Sequence, residues 1–210
     1  MESRDLRVQS NVKDESLVEK RRQQILHAAI QLFREKGFHR ATTREIATAA
    51  GFSIGTLYEY VRTKEDVLYL ICDSIFNKVM EVFDSLPSQH VTLEQLKESI
   101  AAYFKLVDTM HNEFIIMYQE TKSLPIDAKQ YVIKKELEMV GFFERILHSC
   151  IEVGQLQITH NDVFAAANQI VIMGQSWAFR NWALQQRFTL EEFITLQTEL
   201  FMTGLLRNKK

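Results

Sequence analysis

Proline, cysteine and glycine are all scarce in this chain of 210 residues, which holds two, two and seven of them. So few chain breakers, with no run of strict apolar–polar alternation, point to an all-α protein. Cys72 and Cys150 have no CxxC partner, so neither a disulfide framework nor a zinc cluster is expected, and both read as small core hydrophobes. No uninterrupted apolar run reaches the roughly 18 residues of a membrane span, and the first two dozen residues lack the apolar centre of a signal peptide. The expectation is a cytoplasmic protein with no membrane contact. GxSxG, GxGxxG, P-loop and HExxH patterns are missing too, so no catalytic role and no cofactor are expected. His90, His111, His148 and His160 show no metal-ligand spacing.

A strongly basic composition is also lacking, since the formal net charge is −2. The distribution is uneven, however. Residues 20–66 carry nine basic side chains against five acidic ones, which leaves the remainder of the chain acidic. The first fifteen residues are polar and aperiodic and read as a flexible tail, whose Arg4, Arg7 and Lys13 fit either contact with a polyanion or simple solvation without a role.

What is present is helical periodicity interrupted by capping signals. Ile25, Ala29, Leu32 and Phe33 mark one face of a first helix that Gly37 closes. Thr42 with Glu45 opens a helix of about two turns stopped at Gly51, and Ser53 caps a third short helix running to about Tyr60. Thr63 with Asp66, Thr92 with Gln95 and Thr189 with Glu192 start further helices. Pro87 breaks the fourth, and Pro125 suits the first turn of a helix whose stripe is Ile133, Leu137, Val140, Leu147 and Ile151. A helix from about Asn161 to Gln185 is apolar almost all round between Val163 and Met173, so burial on several sides is expected. Nine helices are expected. The domain division is a tail (1–15), a helix-turn-helix domain (16–66) and a ligand-binding and dimerisation domain (67–210).

The third helix is too short to stand alone, so Leu57 and Val61 must anchor it. That anchoring turns Ile54, Gly55 and Tyr58 outward on one strip, with Thr56 and Tyr60 on the adjoining one. Gly55 permits close approach, and the hydroxyls of Thr56, Tyr58 and Tyr60 can donate to phosphate oxygens without adding charge. Lys64 adds a cation at the start of the next helix. Neutral donors of this kind let a mildly basic domain hold DNA.

The string "TTREIATAAGFSIGTLYEYVRTKEDVL" resembles the DNA-binding signature of the TetR family of bacterial transcriptional regulators. The resemblance implies that Thr43, Arg44, Ser53, Ile54, Gly55, Thr56, Tyr58, Tyr60 and Lys64 face DNA, with Arg44 as a candidate for bidentate guanine contact and Lys64 and Tyr60 on phosphates. Val61 stands where phenylalanine is commoner, and acidic Glu59 is left without a role. The family's architecture further implies a homodimer joined through its last two long helices, with Phe193, Leu196, Leu200 and Phe201 as dimer contacts. The resemblance also implies a double-stranded operator as partner. Two recognition helices fixed one DNA turn apart would read a palindrome.

The rear of the chain offers aromatic, methionine and amide residues for an effector cavity: Tyr103, Phe104, Phe114, Met117, Tyr118, Phe142, Phe143, Asn168, Gln169, Met173 and Trp177, with Gln175 a further amide. The same residues equally fit a packed core. The stretches "MYQETKSLP" and "SWAFRNWALQQRFTLEEF" loosely resemble fatty-acid-degradation regulators of the family, whose effector is a long-chain acyl-CoA. That implies a repressor released by a small hydrophobic effector. The alternatives are a repressor answering multidrug or aromatic compounds, and a DNA-bound protein controlled by a protein partner.

Overall fold

The computed structural model describes residue 8, residues 10–86 and residues 92–206. Among these residues the chain is all-α, with ten α-helices and one 3-10 turn: α1 (Glu15–Lys36), α2 (Thr43–Ala49), α3 (Ile54–Tyr58), α4 (Lys64–Asp84), α5 (Leu93–Thr109), α6 (His111–Glu120), the turn Thr121–Ser123, α7 (Ile126–Glu152), α8 (His160–Phe179), α9 (Asn181–Leu184) and α10 (Leu190–Leu206). The helix expected to run to Gln185 is two. Arg180 leaves helical geometry at φ −117° and ψ 22°, and four residues then form a separate turn of helix. Pro87, the expected breaker, lies outside the described residues.

Local chemistry sets most helix starts. Thr42 accepts from the Glu45 N–H while Glu45 accepts from the Thr42 N–H at 3.0 Å, and Thr92/Gln95 and Thr159/Asp162 repeat this capping box. Asp66 accepts from the N–H groups of Arg62 and Thr63 at 2.9 and 3.0 Å, and Thr63 Oγ1 accepts from the Asp66 N–H. Thr189 and Glu192 do the same at α10. Gly37 and Gly51 sit at φ 83° and 76°, where a side chain would be strained, and they turn the chain between α1, α2 and α3.

The chain divides into two compact units, Met1–Ile75 with Ile115–Ile133, and Phe76–Phe114 with Lys134–Lys210. In the first, α2 packs on α1 and on α3. Its core is built from Ile25, Ala29, Phe33, Phe38, Ile46, Leu57 and Val61, all buried, with Phe33 and Phe38 edge-to-face at 5.1 Å. The α3 helix has five residues, far below the length at which a helix holds itself. Fully buried Leu57 and Val61 therefore do fasten it, as the sequence pattern requires.

In the second unit α5 carries α8 and α10 against it. Aromatic rings fill the core: Phe83 stacks on Phe142 at 3.7 Å, and Tyr103 meets Phe114, Phe143 and Phe104 edge-on at 5.8–6.4 Å. α5 and α8 approach so closely that a Cβ at Gly174 would lie 2.4 Å from Tyr103 Cε1. Trp177 donates through Nε1 to Asp108 Oδ1 at 2.7 Å, tying α8 to the end of α5. Of the stripe expected on α7, Val140 and Leu147 are buried and Ile151 is half-buried, but its first two members are not. Ile133 and Leu137 are exposed, whereas Val132, Met139, Val140, Phe143, Ile146, Leu147 and Cys150 are buried. Cys72 and Cys150 are both free and buried, and burial pushes the Cys150 thiol up from its ordinary range.

Candidate nucleic-acid interface

Burial of Leu57 on the inside of α3 fixes what the outside presents. Ser53 caps the helix, accepting from the Thr56 N–H at 3.0 Å, and its Oγ lies 3.0 Å from Thr56 Oγ1. Ser53 and Gly55 are exposed, Ile54 and Thr56 are half-buried, and Tyr58 is 46% exposed. The Tyr58 hydroxyl reaches 3.3 Å from Thr43 Oγ1 at the start of α2, so the two helices share one hydroxyl-lined edge. Arg44, next along α2, is exposed.

Gly55 is instructive because nothing in the folded chain requires it. A Cβ there meets only Ser53 Oγ at 3.6 Å, ordinary contact, and the backbone is in a region open to any residue. A glycine with free space outside it and no strain inside suits close approach by another molecule.

Two of the expected contacts are placed otherwise. Tyr60 does not lie on the outer strip: its side chain is 4% exposed. The physical reason is that α3 ends at Tyr58, with Glu59 as its C-cap, so the helical periodicity that would aim Tyr60 outward has already stopped. Lys64 likewise turns inward. Its ammonium donates to the carbonyls of Phe38 at 2.7 Å, Ala41 at 3.0 Å and His39 at 3.2 Å, and it sits 4.4 Å from the centre of the Phe38 ring. An ammonium has three donors, and here each faces a carbonyl of the α1–α2 turn. Seven of the nine expected positions are therefore exposed or half-buried along the α2–α3 edge, while buried Tyr60 and half-buried Lys64, its ammonium held by three carbonyls, serve the fold of the first unit.

Electrostatics support α2 from behind. Glu45 pairs with Lys36 and with the Thr42 hydroxyl and N–H. These contacts, the Lys36 hydrogen bond foremost, bring its carboxyl down to about 2. Arg22 on α1 donates to the Tyr60 carbonyl through Nη2 at 3.2 Å and Nε at 3.4 Å, and also to the Val8 carbonyl. Ser10 and Asn11, which fall in the segment expected to be a tail, make contacts at the same place. Ser10 Oγ donates to the Glu59 carbonyl at 2.9 Å and the Asn11 N–H donates to it at 3.0 Å. No sequence periodicity signals this contact, which joins residues 49 positions apart.

The expected effector residues separate. Tyr103, Phe104, Phe114, Phe143, Met173 and Trp177 are buried in the second unit and Phe142 is half-buried there, while buried Met117 belongs to the first unit. Tyr118 is 70% exposed and Gln169 is exposed, because each falls on the outer face of its helix; neither lines an interior. Asn168 spends its amide on the Phe164 carbonyl one turn back, at 2.8 Å. The interior amide is Gln175, which lies beside the Tyr103 hydroxyl and the half-buried Glu136 carboxyl; the Tyr103 hydroxyl itself donates to the Val171 carbonyl at 3.5 Å. Burial raises the Glu136 carboxyl above its ordinary range. Glu136 lies outside the stripe expected on α7, because the first half of that stripe is placed one residue late: Val132, Glu136, Val140 and Phe143 share a face of the helix. A groove of about 670 Å³ runs between α5 and α10, and none of the expected effector residues lines it.

Of the expected dimer contacts, Phe193 is buried within its own unit against Trp177 at 5.0 Å and Phe104 at 6.0 Å. Phe201 is half-buried, while Leu196 and Leu200 are exposed. On α8, Phe164 and Ile172 are exposed as well. The helix is buried on several sides, as expected, and leaves these two apolar side chains uncovered.

Residues 25–69 match the family described as bacterial regulatory proteins, tetR family, and residues 90–178 match the tetracyclin repressor-like C-terminal domain. The chain is 30% identical over 202 residues to the HTH-type transcriptional regulator HbdR of Aromatoleum sp. (strain CIB), covering 94% of this chain and 87% of that protein. It is 23% identical over 193 residues to the fatty acid metabolism regulator protein of Bacillus subtilis (strain 168), covering 87% and 94%. Among solved structures it resembles AibR in complex with isovaleryl coenzyme A and operator DNA, at a TM-score of 0.71 and 20% identity, over 86% of this chain and 97% of that one. No helix among the described residues is long and apolar enough to cross a membrane.

Proposed function

Because the chain belongs to the TetR family of bacterial transcriptional regulators, we propose that it is a homodimeric repressor that holds a palindromic operator through the α2–α3 edge and is released by a small hydrophobic effector. The observation that carries the DNA assignment is the outward face of α3: open Gly55, exposed Tyr58 bonded to Thr43, and exposed Arg44 beside it. Hydroxyl and guanidinium donors at this spacing fit phosphate positioning and base-edge reading. One five-residue helix reads too few base pairs for a genomic site, so a second copy is needed, one DNA turn away. The exposed apolar residues of α8 and α10, Phe164, Ile172, Leu196 and Leu200, supply a surface for that second copy. Operator binding places its action in the cytoplasm.

For the effector, the aromatic interior of the second unit suits an apolar chain, and buried Tyr103 and Gln175 with half-buried Glu136 add polar partners beside it. Relatedness to a fatty acid metabolism regulator, and likeness to a fold seen with isovaleryl coenzyme A, favour an acyl-CoA over drug-like aromatics, with a long chain suited to the aromatic interior. An effector acts by favouring a dimer state in which the two α3 helices no longer match one turn of DNA.

The test selects a duplex from a random-sequence pool with the intact protein, then titrates the complex with acyl-CoAs of graded chain length. A two-fold symmetric footprint and release by long-chain acyl-CoA are expected. Release by aromatic compounds alone would move the effector assignment to the multidrug type, and failure to select any sequence would overturn the operator reading.

A further inference from the structure

α10 packs on α5, and the two helices leave an open groove of about 670 Å³ along their seam, a size that suits a small molecule. On the α10 side it is lined by Ile194, Thr198, Met202 and Leu206, one residue in every four, and on the α5 side by Leu93 and Ala101 among others. Ile194 and Met202 are buried and Leu93 and Ala101 half-buried, which gives the groove an apolar floor. Leu196 and Leu200, the α10 residues proposed above to meet a second copy, each follow a lining residue by two positions, about 200° around the helix. A copy seated on them therefore sits on the far side of α10 from the groove.

Thr198 stands out on this wall. It is 8% exposed, and its Oγ1 has no hydrogen-bond partner among the described residues. Thr195, which also lines the groove, donates its hydroxyl to the Glu191 carbonyl one turn back at 2.9 Å; Thr198 does not make the equivalent bond to Ile194. A buried hydroxyl without a partner loses its hydration and gains nothing in exchange. Beside an open groove, a bound molecule can supply the missing partner.

The rim carries charge of mostly one sign. Lys97 is taken up by Glu94 at 3.0 Å, whereas exposed Glu98 and Glu199 have no ion pair among the described residues. Two uncompensated carboxylates beside an apolar floor attract a cation with an apolar body and repel an anion such as a coenzyme A ester. The groove and the aromatic interior of the second unit thus select different chemistry.

We propose that the α5–α10 groove is a second ligand site, for an amphiphilic ammonium ion. The apolar body lies on Ile194, Met202 and Ala101, the cation sits at Glu98 and Glu199, and an ammonium N–H donates to Thr198 Oγ1. Such a molecule ties α10 to α5 and stabilises the folded second unit by mass action.

The test is isothermal titration of the intact protein with octylamine, octanoate and octanol, which share one chain and differ in head group. Octylamine is expected to bind one site per chain, and the other two at least about tenfold more weakly; equal affinity for octanol or octanoate would overturn the site. Glu98→Gln/Glu199→Gln alters exposed side chains only, and is expected to weaken octylamine about fivefold and to remove most of its salt dependence. Thr198→Val keeps the shape of the side chain and removes an unpartnered hydroxyl, so it unfolds no more readily than the parent. It is nonetheless expected to bind octylamine about tenfold more weakly. Parental affinity for octylamine in either variant would overturn the proposal. No DNA enters the measurement, so its outcome is independent of the operator reading.

Discussion

Replacing Gly174 with alanine sets two effects of opposite sign against each other. Gly174 lies in the interior of α8, where Gly→Ala ordinarily stabilises a helix by about 1 kcal/mol. A Cβ at this site, however, would stand 2.4 and 2.7 Å from Tyr103 Cε1 and Cδ1 and 3.3 Å from Phe104 Cδ2. The first two distances are more than 0.5 Å inside the roughly 3.5–4.0 Å optimum for carbon pairs. Tyr103 cannot swing aside, because its ring is fully buried among Phe83, Phe114 and Phe143 and its hydroxyl donates to the Val171 carbonyl of α8 at 3.5 Å. Overpacking of this kind costs about 1–3 kcal/mol or more, so the clash wins and Gly174→Ala loses about 1–2 kcal/mol net. Gly141 is the control. It also lies within a helix, α7, but its added Cβ meets only the flexible ends of Arg145 and Glu144 at 3.7 and 3.8 Å, so Gly141→Ala gains up to about 1 kcal/mol. The assay is urea denaturation at one fixed protein concentration, since the proposed dimer would make midpoints concentration-dependent. Equal stabilisation by both substitutions would refute the close packing of α5 on α8. Tyr103→Leu should relieve part of the cost, and a double-mutant cycle with Gly174→Ala reads that coupling directly.

Other substitutions test other links. Leu57→Ala removes the anchor of α3 and should cost about 2–5 kcal/mol by denaturation while abolishing operator binding; a loss below about 1 kcal/mol would mean α3 is held by something else. Lys64→Met strips three carbonyls of their donor and should lower the thermal midpoint measurably, whereas a change confined to the salt slope of DNA binding would restore Lys64 as a phosphate contact. Glu136 has a folded-state carboxyl raised by burial, so the folded form binds its proton more tightly than the unfolded chain does. Its contribution is therefore fully present below the ordinary value of 4.5 and is lost as pH rises through the raised folded value. Glu136→Gln should be more stable than the parent at neutral pH, with the two stability curves converging on acidification; parallel curves would contradict the buried carboxyl. Glu45 has the opposite sign: its lowered carboxyl supports the fold above 4.5 and loses that support as pH falls toward about 2, so Glu45→Gln should flatten this part of the acid limb.

The parts legible in the sequence are those decided within four residues. The capping pairs Thr42/Glu45, Thr92/Gln95 and Thr189/Glu192 were read because each cap satisfies its own helix's first turn. The anchoring of α3 by Leu57 and Val61 followed from its shortness. What was not legible depended on distant partners. Lys64 finds its carbonyls 23 to 26 residues away, and periodicity gives no hint that a lysine beside a DNA face will turn inward. Tyr60 was misplaced because one residue past a helix end the angular spacing no longer holds. Asn168, Gln169 and Gln175 are alike as amides in one apolar helix, and only the contact with α5 decides that Gln175 is the interior one. Phe193 was assigned to a partner copy when Trp177 and Phe104 of its own chain already cover it.

The central claim is that the α2–α3 edge reads DNA, and it is tested most directly by operator affinity of Arg44→Ala/Tyr58→Ala against the parent at one salt concentration. The double variant leaves Leu57 and the capping box untouched, so unfolding should be little changed. Loss of sequence-specific binding, with the fold retained, is the predicted result; specific affinity equal to the parent's would contradict it.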